Sequence, residues 1–332
     1  MEIFQETKIK KKQHEYTCKF CGFSSEDITD FEYDENGFEC PDCISFNFYE
    51  SVEKNNRHNF ILLLENPKSN IIKPSIKLDF STTVSPLRYP GGKSKMVGQI
   101  LQHCNLQNMD SFIEPFAGGA SVGLSLLLSG KIKNLYLNDL DFGIYALFWS
   151  IINWPDILIN KIKDFEPSKE AYKHAQKLVL NNYKGLDLVD AGWNAFIVNR
   201  MAFSGICKAN CMGNPSARWN PTTLINRIKK ISRFANHIFL SNTDAYEFIE
   251  EMYWKSKSTI LIDPPYFIKG KDLYNQYYKN KDHENLALLL DSLYRSMPGA
   301  DMILTYDYCQ NIIDLYDFPI VEEISRKYSI AN

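Results

Sequence analysis

An α/β fold built on a mostly parallel sheet is the expectation from this sequence, and three observations carry it. Short apolar runs alternate with helical patterns from residue 86 onward. Glycines or acids stand immediately after several of those runs. One run, over 259–262, reads as a buried strand and closes on Asp263-Pro264-Pro265-Tyr266. Alternating strands and helices imply a sheet covered on both faces, whose ligands sit beyond the strands' carboxyl ends.

The elements follow in order. Residues 1–50 form a separate module around four cysteines. Residues 51–85 are polar, with breaks at Asn66-Pro67 and Lys73-Pro74, and read as a partly packed linker. The apolar patch over 60–64 is either a strand or a docking segment. Strands are expected over 111–116, 134–139, 237–241, 259–262 and 301–305. Helices are expected over 120–128, 144–152, 245–253 and 284–297. The interval 155–236 breaks the alternation and reads as a largely helical insertion with a loop-rich centre over 205–221. The main domain is therefore expected to run over 86–332.

Composition bounds the classes. The chain has 332 residues, 45% hydrophobic and 14% aromatic, enough for a real core and too apolar for disorder. No apolar stretch reaches membrane-spanning length and the start does not read as a signal peptide, so a cytoplasmic protein is expected. The net charge of −3 conceals an uneven distribution. Between Asp190 and Asp244 there is no Asp or Glu, while Arg200, Lys208, Arg218, Arg227, Lys229, Lys230 and Arg233 fall there. A one-signed stretch fits a surface for phosphates. The interleaved Phe196, Phe203 and Trp219 strengthen that reading; a solvated helix face is the alternative.

Asp263-Pro264-Pro265-Tyr266 suits a planar ring bearing an exocyclic amine. The carboxylate accepts one N–H and the Pro264 carbonyl the other. The prolines fix φ and carry no N–H, so the loop is stiff and presents acceptors. Tyr266 can stack on the ring face. Alone, the tetrapeptide also reads as a strand end with a turn. Glu114, Phe116, Gly118 and Gly119 form a second corner, where a glycine turn lets a ligand approach the backbone and a helix start offers free N–H groups. Asp139, after the next strand, can hold a ribose diol or cap a helix. Lys93 follows a glycine pair without the spacing of a phosphate loop. It can pair with the carboxylate of an amino-acid-like cofactor, with Tyr89 against it.

With these residues in view, 86–310 resembles the DNA adenine methylase family, which methylates adenine N6 with S-adenosylmethionine. The match runs in order through Arg88–Lys93, Phe112–Gly119, Leu137–Asp139 and Asp263–Tyr266, and includes Val198–Lys208 at the entry to the target-recognition region. The resemblance implies a Rossmann-like methyltransferase with a mixed sheet, the 155–236 insertion recognising the target. It implies S-adenosylmethionine contacts from Tyr89, Lys93, Asp139 and Asp263, with Asp244 a further candidate for the cofactor's adenine. Asp263, Pro264, Pro265 and Tyr266 would hold an adenine flipped out of double-stranded DNA. No cysteine follows a proline, as the nucleophile of a cytosine-C5 enzyme typically does. An RNA base methyltransferase and a non-catalytic DNA-binding module are the rival readings.

Cys18-x2-Cys21 and Cys40-x2-Cys43 have the spacing of a four-cysteine zinc ribbon. A reducing compartment disfavours two disulfides there. The ribbon can hold DNA, dock a restriction endonuclease or another protein, or be purely structural. The whole is expected to act as a monomer or weak dimer. Cys104, Cys207, Cys211 and Cys309 read as ordinary thiols.

Overall fold

The computed structural model describes residues 60–66, 76–88, 91–203, 209–267 and 278–325, with the backbone of five short strands upstream of residue 50. The chain divides into two compact units, one of Met1–Arg57 with Ser292–Pro298 and one of His58–Asp291 with Gly299–Asn332.

In the first unit, β1 (Tyr16–Thr17) pairs antiparallel with β2 (Ser24–Ser25). β3 (Glu32–Tyr33), β4 (Gly37–Glu39) and β5 (Phe46–Phe48) make a second antiparallel ladder. Cys18 and Cys21 fall in sequence between β1 and β2, and Cys40 and Cys43 between β4 and β5. The four cysteines themselves lie outside the described residues, as do Tyr89, Cys207 and Lys208.

Among the described residues the second unit is built on seven strands: β6 (Phe60–Asn66), β7 (Ser111–Glu114), β8 (Asn134–Asn138), β9 (Ile238–Ser241), β10 (Ser258–Ile262), β11 (Asp301–Asp307) and β12 (Ile320–Ser325). Their order across the sheet is β12-β6-β11-β10-β7-β8-β9. Every pairing is parallel. The mixed sheet expected above is therefore corrected: among the described residues this sheet is wholly parallel. Parallel strands are buried on both faces and read as continuous apolar runs. β10 fits, with Ile260, Leu261 and Ile262 all at 2% exposure or less.

Of the two readings left open for the apolar patch 60–64, the strand is the one present: Phe60–Asn66 pairs with β11 on one side and β12 on the other, and Phe60 to Leu64 are buried, so this part of 51–85 is not a partly packed linker. The sheet thus begins well upstream of residue 86. β12 was not anticipated at all.

Helices connect the strands. α1 (Ser121–Leu128) follows β7, and α2 (Phe142–Asn153) follows β8, capped by Asp141 accepting from Gly143 N. Between β8 and β9 the expected helical insertion is present as α3 (Pro155–Asp164), α4 (Lys169–Leu180), α5 (Leu188–Met201) and α6 (Pro221–Ser232). Side-chain caps from Ser168, Asp187 and Asn220 satisfy the first amides of α4, α5 and α6. A Cβ at Gly192 on α5 would lie 2.7 Å from the Leu147 backbone on α2. Glycine lets the two helices meet at backbone distance, which fixes the insertion to the sheet's own helix. α7 (Ala245–Tyr253) and α8 (Asn280–Arg295) complete the set.

The aromatic residues of the insertion have a different use from the one expected. Phe165, Trp193, Phe196 and Trp219 pack ring against ring, with Phe196 and Trp219 buried. They are a core, not a nucleic-acid surface; Phe203 is exposed. No single helix among the described residues is long and apolar enough to cross a membrane.

Candidate active site

Because the strands are parallel, their carboxyl ends share one side of the sheet, and so do the side chains that terminate them. β7 ends at Glu114, β8 runs into Asp139, β9 leads to Asp244 and β10 opens onto Asp263. These four acids line one cleft with Lys93, Phe116, Gly118, Gly119, Asp141, Pro265 and Tyr278. The structure therefore brings together residues that the sequence places in separate blocks.

At the glycine corner, Gly118 has φ 47° and so does Ala120. This left-handed conformation is easy for glycine and costly for alanine. Asp139 holds the turn: its carboxylate accepts from Gly118 N at 2.7 Å and Asp141 N at 2.9 Å. The helix cap considered for Asp139 falls instead to Asp141. Ala120 offers no side-chain cap to α1, and Glu114 takes only the third amide, Gly123 N, so the amides of Ser121 and Val122 remain available to a ligand. Glu114 is buried and accepts from Gly123 N at 2.6 Å. Burial pushes the Glu114 carboxyl up to about 8 and the Asp139 carboxyl up to about 7. For Asp139 the neighbouring Asp141 charge adds to burial. Asp244 caps α7 through Tyr246 N at 2.8 Å while it lines the cleft. Phe116 and Tyr278 meet edge to face at 5.8 Å on the cleft wall.

The Asp-Pro-Pro-Tyr corner is held by a charged cluster. Lys93 Nζ lies 2.5 Å from Asp263 Oδ1, 3.1 Å from Glu65 Oε1, 3.0 Å from Tyr266 Oη and 3.2 Å from Gly91 O. Thr305 Oγ1 donates to the same Asp263 Oδ1 at 2.7 Å. Asp263 Oδ2 makes no hydrogen bond to the described residues, and the side chain is 23% exposed. One oxygen is anchored, and the other is left without such a bond on a residue that lines the cleft. Burial raises the Asp263 pKa and Glu65 adds to that, while Lys93 and Thr305 oppose it.

Two expectations change here. Lys93 lines the cleft, but its ammonium is engaged by the cluster and is only 3% exposed, so it is not a free partner for a cofactor carboxylate. Tyr266 is likewise 3% exposed. Its hydroxyl donates to Glu65 Oε1 at 2.9 Å, and its ring braces the corner instead of offering an open stacking face. Glu65, Thr305, Asp141 and Tyr278 are site residues that sequence reasoning missed. His283 sits in the first turn of α8, buried, with Nδ1 2.7 Å from Tyr306 Oη, and burial lowers its pKa to about 4. It belongs to the core.

The arginines of the acid-free window divide. Arg200 is buried, and its guanidinium donates to the Pro86 and Arg218 carbonyls. Arg227 donates to Ser85 O at 2.8 Å. Asn199 brackets Arg88 through both its N–H and its C=O, at 2.8 and 2.7 Å. These bonds tie 85–88, just ahead of Lys93, to α5 and α6. Arg88, Arg200, Arg218 and Arg227 form no ion pair with a carboxylate among the described residues. Burial, reinforced by its arginine neighbours, lowers Arg200 to about 10. Arg218, Lys229 and Lys230 are exposed.

That division has a testable result. Neutralising Lys229 and Lys230 together is expected to weaken binding to duplex DNA and to flatten log K against log salt by about two charges, with the melting temperature unchanged. Arg227→Ala is expected to lower the melting temperature as well. An unaltered salt slope in the double lysine variant would place those lysines away from nucleic acid.

Among the described residues no group of three or more His, Cys, Asp or Glu is placed to hold a metal. Cys104, Cys211 and Cys309 are free thiols, and burial pushes the Cys104 thiol up to about 12.

Comparison with known proteins is consistent with this geometry. The family model described as D12 class N6 adenine-specific DNA methyltransferase matches residues 89–330. The type II methyltransferase M.MjaIII of Methanocaldococcus jannaschii is 24% identical over 243 residues, covering 67% of this chain and 83% of that protein. The type II methyltransferase M.CviBI of Paramecium bursaria Chlorella virus NC1A is 23% identical over 248 residues, covering 73% and 90%. The modification methylase StsI of Streptococcus sanguinis is 28% identical over 218 residues, 62% of this chain but only 31% of StsI.

Proposed function

The chain belongs to the D12 class N6 adenine-specific DNA methyltransferases, and from that premise we propose that it methylates N6 of an adenine flipped out of double-stranded DNA, at a specific site. The observation that carries this reading is the state of Asp263, a residue of the cleft wall with Oδ1 anchored by Lys93 and Thr305 and Oδ2 left without a bond to the described residues.

S-adenosylmethionine fits the cleft by charge. At neutral pH it carries a sulfonium and an ammonium against one carboxylate, a net positive ligand. The lining supplies Glu114, Asp139, Asp141, Asp244 and Asp263, and the ammonium of Lys93 is already matched by Glu65 and Asp263. In this reading Asp139 holds the ribose, the α1 amides the carboxylate, Glu114 the ammonium, and Phe116 with Tyr278 the aromatic wall.

When bound, S-adenosylmethionine supplies a methyl group already activated on sulfur. The chain's own residues then do the positioning. An adenine amine is a poor nucleophile because its lone pair is delocalised into the ring. Asp263 Oδ2 accepts one N–H and the Pro264 carbonyl the other, which draws the nitrogen toward a tetrahedral shape and aims its lone pair. Catalysis is positioning plus electrostatics, without a covalent intermediate on the protein. Extruding the base costs a few kcal/mol, roughly, offset by phosphate contacts along the basic insertion 155–236. Cys18, Cys21, Cys40 and Cys43 are proposed as zinc ligands on their spacing, each pair falling in the chain between two antiparallel strands.

The direct test is transfer of labelled methyl to plasmid DNA, followed by mapping of 6-methyladenine at single-molecule level. Modified adenines in one sequence context support the reading. Labelling of RNA but not duplex DNA, or cofactor binding without turnover on any duplex, overturns it.

The raised carboxyls give a second expectation. Glu114 and Asp139 are held partly protonated near neutral pH, and a cationic ligand requires them ionised. S-adenosylmethionine affinity is therefore expected to rise several-fold between pH 6 and 8.5, with proton release on binding near pH 7.5. Calorimetry in buffers of different ionisation enthalpy measures both. The same shifts act on folding. Between the ordinary carboxylate range and about 8 the native state binds more protons than the unfolded one, so ligand-free stability falls as pH rises through that window.

A further inference from the structure

We infer that Glu65 is a positioning residue for methyl transfer, holding Lys93 and Tyr266 so that Asp263 offers one fixed oxygen to the target amine. The inference rests on the reading of Asp263 above. Glu65 lies outside the span 89–330 that matches the family.

Three observations support it. Glu65 is fully buried on β6, between β11 and β12, and its Oε1 meets both Lys93 Nζ at 3.1 Å and Tyr266 Oη at 2.9 Å. A buried charge is tolerated when paired and hydrogen-bonded, so one lysine between two carboxylates is a constrained arrangement. Lys93 is drawn toward Glu65 and Asp263 at once and cannot drift to either. The phenol of Tyr266 donates to Glu65, which turns an oxygen lone pair toward the Lys93 ammonium at 3.0 Å. The result is a closed ring of contacts: Glu65 to Tyr266, Tyr266 to Lys93, Lys93 to Glu65. Asp263 hangs from it through Oδ1 alone. Without Glu65 the ammonium has a single counter-ion and freedom to approach either Asp263 oxygen, including the one the amine needs.

The charged and titratable groups facing Asp263 are Lys93 from the turn Lys93–Lys95, Glu65 from β6, Glu114 from β7 and Tyr266 from its own loop, with the Thr305 hydroxyl from β11. Glu65 raises the Asp263 pKa, so its neutralisation has a readable sign.

The test compares the full chain with Glu65→Gln, which keeps shape and can still accept from Tyr266. Single-turnover methylation of duplex DNA is followed against pH, with cofactor affinity and melting temperature measured in parallel. The Asp263 carboxyl is titrated by carbon NMR on protein labelled at aspartate. The expected result is a rate at least tenfold lower, cofactor affinity within about twofold, and the acid limb and the Asp263 titration both moved to lower pH. A rate within twofold of the parent, or a rate loss matched by lost folded fraction with the Asp263 titration unmoved, overturns the inference. If the parent transfers no methyl to duplex DNA, the functional reading fails and the Asp263 titration alone decides whether Glu65 acts on it. If Glu65→Gln does not fold, Tyr266→Phe is read in its place. It breaks the ring at the phenol, and an unchanged rate and titration there overturn the inference.

Discussion

Asp263→Ala is expected to lower single-turnover methylation by about a thousandfold or more while leaving duplex DNA binding intact. Removing one preorganised group that faces the reacting atom typically costs a hundredfold to a thousandfold, roughly. Here the same side chain also fixes the amine's geometry, which adds a positioning loss. The fold is expected to survive, because Lys93 keeps Glu65 as its counter-ion at 3.1 Å and the Asp263 side chain is partly exposed. DNA affinity is expected to persist because Lys229 and Lys230 lie on α6 in the insertion. Asp263→Asn tests the anchor separately. Its amide group has to face Lys93 and Thr305 or turn toward the incoming amine, and either placement puts donor against donor. Substantial residual activity in both variants, measured with a labelled methyl donor on duplex DNA, would show that another group receives the amine.

Lys93→Met is expected to produce the largest loss of stability. Glu65 and Asp263 would then face each other beneath the cleft without a cation. Removing one partner of a buried ion pair costs roughly 3–5 kcal/mol, because a charge is left uncompensated. The loss carries a pH signature. Without Lys93 both carboxyls are raised in the native state, so the native state binds more protons than the unfolded one above the ordinary carboxylate range. The deficit in melting temperature is therefore expected to be small near pH 5 and to widen toward pH 8. A deficit that does not vary with pH would mean that Lys93 supports the fold through its alkyl chain alone.

How much of this was legible in the sequence depends on where the signal resides. Asp139 and Asp263 were readable because each follows an apolar run at a strand end, and Gly118 because a tight turn favours glycine. Helices such as Ala245–Tyr253 were readable from their periodicity. Glu65 carries the same signal as Asp263, an acid closing an apolar strand, but the polar residues and prolines around it made the region read as a linker. Strand direction has no local signature, and the insertion of β6 between β11 and β12 depends on contacts remote in sequence. Arg200 and Trp219 show the converse limit. Composition marks a basic, aromatic stretch, but it cannot say that one arginine is spent on main-chain carbonyls and the tryptophan on a core.

The place of β6 has a consequence for biosynthesis. Glu65 and Tyr266 are separated by 201 positions, and β6 lies between the two strands that are translated last in the sheet. A nascent chain leaving the ribosome must keep the ribbon Phe60-Ile61-Leu62-Leu63-Leu64 shielded until those partners emerge. Such long-range closure is slow and exposes an unpaired edge to neighbouring chains. A methylating activity that appears only after translation has passed β11 and β12 is the expected consequence of that single crossing.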